Sequence, residues 1–168
     1  MKIYLIGLPG SGKTTLGKRV AAELNISFID LDHEVEKAEG ISVQEIFRMK
    51  GQDYFREAES KALRKLANSN FHFVLATGGG APCFFDNIDV MNSSGTTIFL
   101  DVPQQEIFNR LSKTDLNVRP LFAGLDEQGV KSQLHTLRTE RFPFYSKAKI
   151  QFTKHNLQAG EIMDAIKG

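Results

Sequence analysis

Gly7-Leu8-Pro9-Gly10-Ser11-Gly12-Lys13-Thr14-Thr15 is the stretch whose reading decides the fold. From Gly7 to Thr14 it follows the pattern G-x-x-x-x-G-K-[ST]. A short apolar run, Ile3-Tyr4-Leu5-Ile6, precedes it and reads as a buried strand. Leu16, Val20 and Leu24 follow at four-residue spacing, one stripe of a helix. Strand, glycine loop, helix is the context in which this pattern cradles phosphate. The glycines accept backbone angles closed to other residues, so successive N–H groups can turn inward around an anion. The new helix adds its free N-terminal N–H groups and the positive end of its dipole. In that arrangement Lys13 reaches the terminal phosphates, and the Thr14 hydroxyl meets Mg²⁺.

Working outward, strand and helix patterns alternate, with no linker and no repeat. Ser27-Phe28-Ile29-Asp30, Phe73-Val74-Leu75-Ala76, Thr97-Ile98-Phe99-Leu100 and Lys149-Ile150-Gln151-Phe152 read as four further strands. Between them lie helical stretches. One runs from about His33 to Glu39 and stops at Gly40. A capped piece opens at Ser42-Val43-Gln44-Glu45 and stops at Gly51. A longer one covers about Asp53 to Ala67, with Phe55, Ala62, Leu63 and Leu66 on one face. Further helices are expected around Phe84 to Met91, from Pro103 to Leu111, from Glu127 to Phe142 ahead of Pro143, and from Leu157 to Lys167. Residues 113–125 have little periodicity and contain Pro120 and Gly124, which reads as a mobile loop. Strands spaced by helices make a parallel sheet covered on both faces, with ligands at the carboxyl ends of the strands.

The totals narrow the class. A chain of 168 residues is one domain with a sizeable core. The net charge of +1 gives no field drawing it to nucleic acid or to a membrane surface. Thirteen phenylalanines without a tryptophan read as core, not as a base-stacking surface. One cysteine, Cys83, excludes an internal disulfide and any multi-cysteine metal site. The histidines (His33, His72, His135, His155) show no metal spacing. The first strand opens at residue 3, leaving no room for a cleaved signal peptide, and no apolar run is long enough for a membrane helix. A cytoplasmic protein is expected.

The residues with chemical potential follow strands. Asp30 and Asp32 come directly after the second strand, and alternation in an extended chain points both the same way. One would hold Mg²⁺ through water and the other would take a hydrogen bond or proton from a hydroxyl; either alone also suits a helix cap. Arg56 and Glu59, three apart on a helix, can pair. Such a pair is commonly a solvated surface contact, whereas a rigid arginine fork suits a carboxylate or phosphate. Gly78-Gly79-Gly80 after the third strand suggests close backbone approach to a ligand, or a plain turn. The third strand ends Ala76-Thr77 with no carboxylate, so the metal role moves to Asp30. Arg119 lies in the irregular loop, where an arginine can close over phosphate or simply face water. Arg138 and Arg141 share a helix face.

The set as a whole resembles the shikimate kinases, within the nucleoside-monophosphate-kinase-like P-loop enzymes. The resemblance rests on GLPGSGKTT (7–15), FIDLD (28–32), Phe55–Glu59, VLATGGGAP (74–82), RPL (119–121) and ERFPFY (140–145), in order across nearly the whole chain. It implies a three-layer α/β/α domain with a five-stranded parallel sheet, a lid at about 113–125 and a substrate-binding helical region at about 33–67. It implies transfer of the ATP γ-phosphoryl group to the 3-hydroxyl of shikimate, with Mg²⁺ as cofactor. By motif position, Gly10, Ser11, Gly12, Lys13, Thr14 and Thr15 hold ATP phosphates, Thr14 ligates the metal, and Asp30 stands in its outer shell. Asp32 binds substrate hydroxyls and serves as base or orienting group. Arg56, Gly78, Gly79, Gly80 and Arg141 hold the shikimate carboxylate and ring. Arg119 belongs to the lid, Lys13 and Arg119 stabilise the transferring group, and Arg110 fits an adenine contact, with 154–158 as a further adenine region. Arg141 falls in the motif and Arg138 does not. A monomer is expected, with ATP and shikimate as its only partners. Two other readings stay open: a related small-molecule kinase such as a gluconate kinase, and a nucleotide-binding regulatory module without turnover.

Overall fold

A computed structural model describes residues 1–168. Five strands, β1 (Lys2–Ile6), β2 (Ser27–Asp30), β3 (Phe73–Ala76), β4 (Thr96–Leu100) and β5 (Ile150–Phe152), form one sheet in the order β2-β3-β1-β4-β5. Every pairing is parallel. Parallel strands need crossovers, and six helices supply them: α1 (Lys13–Leu24), α2 (Leu31–Glu39), α3 (Val43–Ala67), α4 (Asn87–Ser94), α5 (Gln104–Leu111) and α6 (Glu127–Tyr145); a seventh, α7 (Ala159–Lys167), follows the last strand. The α/β architecture with helices over both faces agrees with the expectation from sequence. Ile3 to Ile6, Phe73 to Leu75 and Ile98 to Leu100 are buried, which is why these strands read as continuous apolar runs instead of alternating ones.

Register sets the position of the site. Leu5 and Asp30 both pair with Ala76, and Ile6 pairs with Phe99. The segments leaving β1, β2 and β3 therefore emerge side by side at one edge of the sheet. With β1 central, the glycine loop sits at the middle of that edge, where strand order diverges to either side.

Several element ends differ from expectation, each for a local reason. α2 begins at Leu31, directly after β2, with Asp30 as its cap accepting the His33 N–H at 3.3 Å. Asp32 thus lies in a first helical turn, and the extended-chain alternation argued for 30 and 32 does not apply. α3 is broken at Gly51 (φ 85°, ψ 172°), where a stop was expected, but the next helical piece follows at once across the kink with no intervening loop. α4 starts at Asn87, after a 3₁₀ turn at Ala81–Cys83, three residues later than expected. Pro103 caps α5 instead of occupying its first turn. α6 runs through Pro143 to Tyr145, because the missing N–H falls in the last turn, where it frees only the carbonyl of exposed Thr139. α7 starts at Ala159 behind a Gln158–Glu161 capping box. The loop at 113–125 contains a 3₁₀ turn, Leu116–Val118, and is anchored by Phe122, which is fully buried in the main core. Of the other phenylalanines, Phe71 and Phe85 stand exposed instead of in the core.

Candidate active site

A cleft of about 950 Å³ opens along the carboxyl edge of the sheet. Every site residue expected from sequence lines it: Gly10 to Thr15, Asp30, Asp32, Arg56, Gly78 to Gly80, Arg110, Arg119 and Arg141. Lys154, Asn156 and Gln158, from the region assigned to adenine, line the same cleft. Arg138 does not line it. Its guanidinium grips Asp101 at the end of β4 with contacts of 3.0 to 3.3 Å and stacks on Phe142.

At the glycine loop, Gly10 and Gly12 have φ of 80° and 95°, angles a side chain would strain. Gly12 caps α1 without a side chain, so the first N–H groups of that helix open directly onto the cleft. Lys13 curls back over the loop, donating to the carbonyls of Gly7 at 2.8 Å and Leu8 at 2.9 Å. Burial, then the nearby Arg141, lowers its pKa to about 7, against the opposing pull of Asp32. A loop in this state holds an ammonium that a phosphate would stabilise. Arg110 braces the loop from outside, donating to the Gly10 carbonyl at 3.1 Å while pairing with Glu106, whose other oxygen lies 2.9 Å from His155 Nδ1.

The opposite end of the cleft is built from orphaned polar atoms. Asp32 Oδ1, Glu59 Oε2, Arg56 Nε and Arg141 Nη1 are buried without a partner. Unmet donors and acceptors at such density in a cleft are what a polyhydroxylated anion would satisfy. Burial, reinforced by Asp30, raises Asp32 to about 6. Burial also raises Glu59 to about 7 against the pull of Arg56.

Glu59 is the residue the sequence reading left in the balance between surface pair and site. It is fully buried and accepts from Arg56 Nη1 at 2.8 Å, so it orients the fork of Arg56, which is itself stacked 4.3 Å from the Phe84 ring. The i, i+3 spacing was a visible signal; its burial was not.

The triple glycine is also required by packing within the protein. None of the three takes a positive φ. What they lack is a Cβ, and its place is taken by neighbouring side chains as well as by open cleft. A Cβ on Gly78 would sit 3.1 Å from both Asp32 Oδ1 and Glu59 Oε2. One on Gly79 would sit 2.7 Å from Arg141 Nη1, and one on Gly80 would sit 2.8 Å from Arg56 Cζ. The turn lets two guanidinium groups and two carboxyls close in on one point.

Thr14, Asp30 and Asp32 offer only oxygen donors to the cleft, and Asp32 Oδ1 has no other partner. Hydroxyl and carboxylate oxygens beside a phosphate loop suit a hard dication such as Mg²⁺.

The cleft therefore joins a phosphate cradle to a receptor for a small anionic polyol, the combination the motif order suggested. The family model described as shikimate kinase matches residues 9–167. A shikimate kinase of Phocaeicola vulgatus is 43% identical over 157 residues, covering 94% of this chain and 89% of that protein. The crystal structure of shikimate kinase from Bacteroides thetaiotaomicron superposes with a TM-score of 0.88 at 36% identity, covering 99% of this chain and 96% of that one. The Acinetobacter baumannii enzyme, solved in complex with shikimate, superposes at 0.87 with 30% identity, covering 99% and 90%. On this match across nearly its full length, the chain belongs to the shikimate kinase family.

Proposed function

We propose that this enzyme transfers the γ-phosphoryl group of ATP to the 3-hydroxyl of shikimate, giving 3-phosphoshikimate and ADP. The observation that carries the reading is the set of unpartnered Asp32, Arg56 and Arg141 atoms facing the phosphate loop across one cleft. The shikimate carboxylate would bridge Arg56 and Arg141, whose forks suit two carboxylate oxygens. Its ring would rest on Gly78 to Gly80, with a hydroxyl presented to Asp32. ATP phosphates would replace the Gly7 and Leu8 carbonyls as partners of Lys13, and the N–H groups of Gly10 to Thr15 would hold them.

In the reaction the 3-hydroxyl oxygen bonds to the γ-phosphorus as the bond to the ADP oxygen breaks. ADP leaves with the electron pair and Asp32 receives or steers the hydroxyl proton. Burial suits Asp32 to this, since its raised pKa makes it a better acceptor than a solvated aspartate. Lys13 and Arg119 stabilise the charge on the transferring group. Thr14 would hold Mg²⁺ directly and Asp30 through water. Held by these residues, the ion would supply positive charge against the phosphates of ATP.

Residues 113–125 serve as a lid that brings Arg119 over the phosphates and excludes water, and the helical region 33–67 forms the acceptor wall. Arg110 and 154–158 flank the adenine. One chain supplies the whole site, which supports action as a monomer. No helix is long and apolar enough to cross a membrane, which accords with work in the cytoplasm.

The test is ADP release with Mg²⁺-ATP and either shikimate or gluconate. Release with shikimate alone is expected; release with gluconate alone, or ATP binding without turnover on shikimate, would overturn the proposal.

A further inference from the structure

We propose that Tyr145 is a positioning residue for the acceptor: its hydroxyl locks the Gly79–Gly80 peptide so that the Gly80 N–H is presented to the substrate. The proposal rests on the shikimate reading of the site and deepens it.

Tyr145 is fully buried at the end of α6, its ring 4.9 Å from that of Phe99. Its hydroxyl donates to the Gly79 carbonyl at 2.5 Å, a contact between positions 66 apart. The backbone has no cis peptide, so the Gly80 N–H points away from the oxygen that Tyr145 holds. Neither the Gly79 nor the Gly80 N–H has an acceptor within the chain, although Gly80 is buried. A buried donor without an acceptor is costly unless a ligand supplies one.

A peptide between two glycines has no side chain to bias its plane. A flip would exchange the Gly79 carbonyl and the Gly80 N–H, turning a lone pair toward an anionic acceptor in place of a donor. The tyrosine hydroxyl makes that flip unfavourable, because flipping takes away the acceptor of its buried proton. Burial pushes the phenol pKa upward, so the group remains a donor at neutral pH. Arg141 lies one turn earlier on the same helix, with Nη1 2.7 Å from where a Gly79 Cβ would be. One helix end thus sets both a guanidinium and a backbone donor of the same receptor.

The test compares Tyr145→Phe with Phe99→Leu. Tyr145→Phe keeps the ring and removes only the hydroxyl. It should raise the KM for shikimate about tenfold, the size of one hydrogen bond to a charged group. The KM for ATP and kcat should stay within about twofold of wild type, since the phosphate loop is untouched. Phe99→Leu loosens the same packing with the hydroxyl intact, and should lower the melting temperature without moving the KM for shikimate. An unchanged KM in Tyr145→Phe, equal rises for both substrates, or an equal rise in Phe99→Leu would overturn the proposal. If Tyr145→Phe does not fold, 3-fluorotyrosine-labelled wild type replaces it. Its residue-145 fluorine resonance should shift on saturation with shikimate, and no shift would overturn the role. Wild type that turns over no shikimate would instead overturn the substrate reading itself, so the two failures are distinct.

Discussion

Arg56 donates to Glu59 across 2.8 Å, and the carboxylate that receives it is entirely out of water. Removing one partner of a buried pair leaves the other charge uncompensated, at a cost of about 3–5 kcal/mol. Glu59→Ala should therefore lower unfolding free energy by roughly 3 kcal/mol in urea titrations. It should also raise the KM for shikimate far more than that for ATP. Glu59→Gln, which keeps an acceptor for the guanidinium, should be milder in both respects.

The three perturbed groups of the cleft give the free enzyme a stability trough near neutral pH. Asp32 and Glu59 rise from 3.8 and 4.5 to about 6 and about 7, so between those values the folded state holds more protons than the unfolded. Their contribution is complete in acid and is lost as pH rises through 6 and 7. Lys13 falls from 10.5 to about 7, so above 7 the unfolded state holds more protons and stability climbs again. Melting temperatures at fixed ionic strength should show the loss between pH 4.5 and 7 to be shallower in Glu59→Gln than in wild type. Parallel profiles would remove Glu59 from the linkage.

The triple glycine should respond to Cβ atoms in an order set by what they strike. Gly80→Ala displaces the Arg56 guanidinium, and Gly79→Ala displaces that of Arg141; Gly78→Ala meets oxygens at the looser distance of 3.1 Å. Shikimate affinity should fall in the first two and least in Gly78→Ala, with ATP binding retained in all three. Titration calorimetry with each ligand separates these outcomes from a general fold defect.

Arg119 makes no side-chain ion pair within the chain, yet faces the cleft. Arg119→Ala should leave thermal stability of the free enzyme unchanged and cut kcat by about 100-fold, the scale of losing one preorganised charge-stabilising group. A normal kcat would take the arginine out of the chemistry.

Residues 113–125 are tied to the body mainly through Phe122, which is fully buried, with Leu116 partly buried against the same core, while Val118, Leu121 and Leu125 stay exposed. Amide exchange in this segment should slow when ATP and shikimate are both present. Phe122→Ala should abolish that slowing and raise the KM for ATP. Identical exchange with and without ligands would refute closure.

The sequence by itself determined much of this protein because the signals are local. The glycine loop needs only neighbouring residues to cradle phosphate, and apolar runs alternating with helical stripes specify a parallel sheet whatever its strand order. Even the displaced element ends, at α2, α4 and α6, moved by only a few residues, since caps and prolines act within a turn. Tertiary structure alone decided the rest. The order β2-β3-β1-β4-β5 brought Asp32, the triple glycine and Arg141 to one point from segments far apart in the chain. Burial turned Glu59 from an ordinary helix pair into the support of Arg56, and it moved Lys13, Asp32 and Glu59 off their ordinary pKa values. The hold of Tyr145 on Gly79 has no trace in local pattern. Desolvation and long-range contact depend on which distant segment packs overhead, and that is a property of the folded chain.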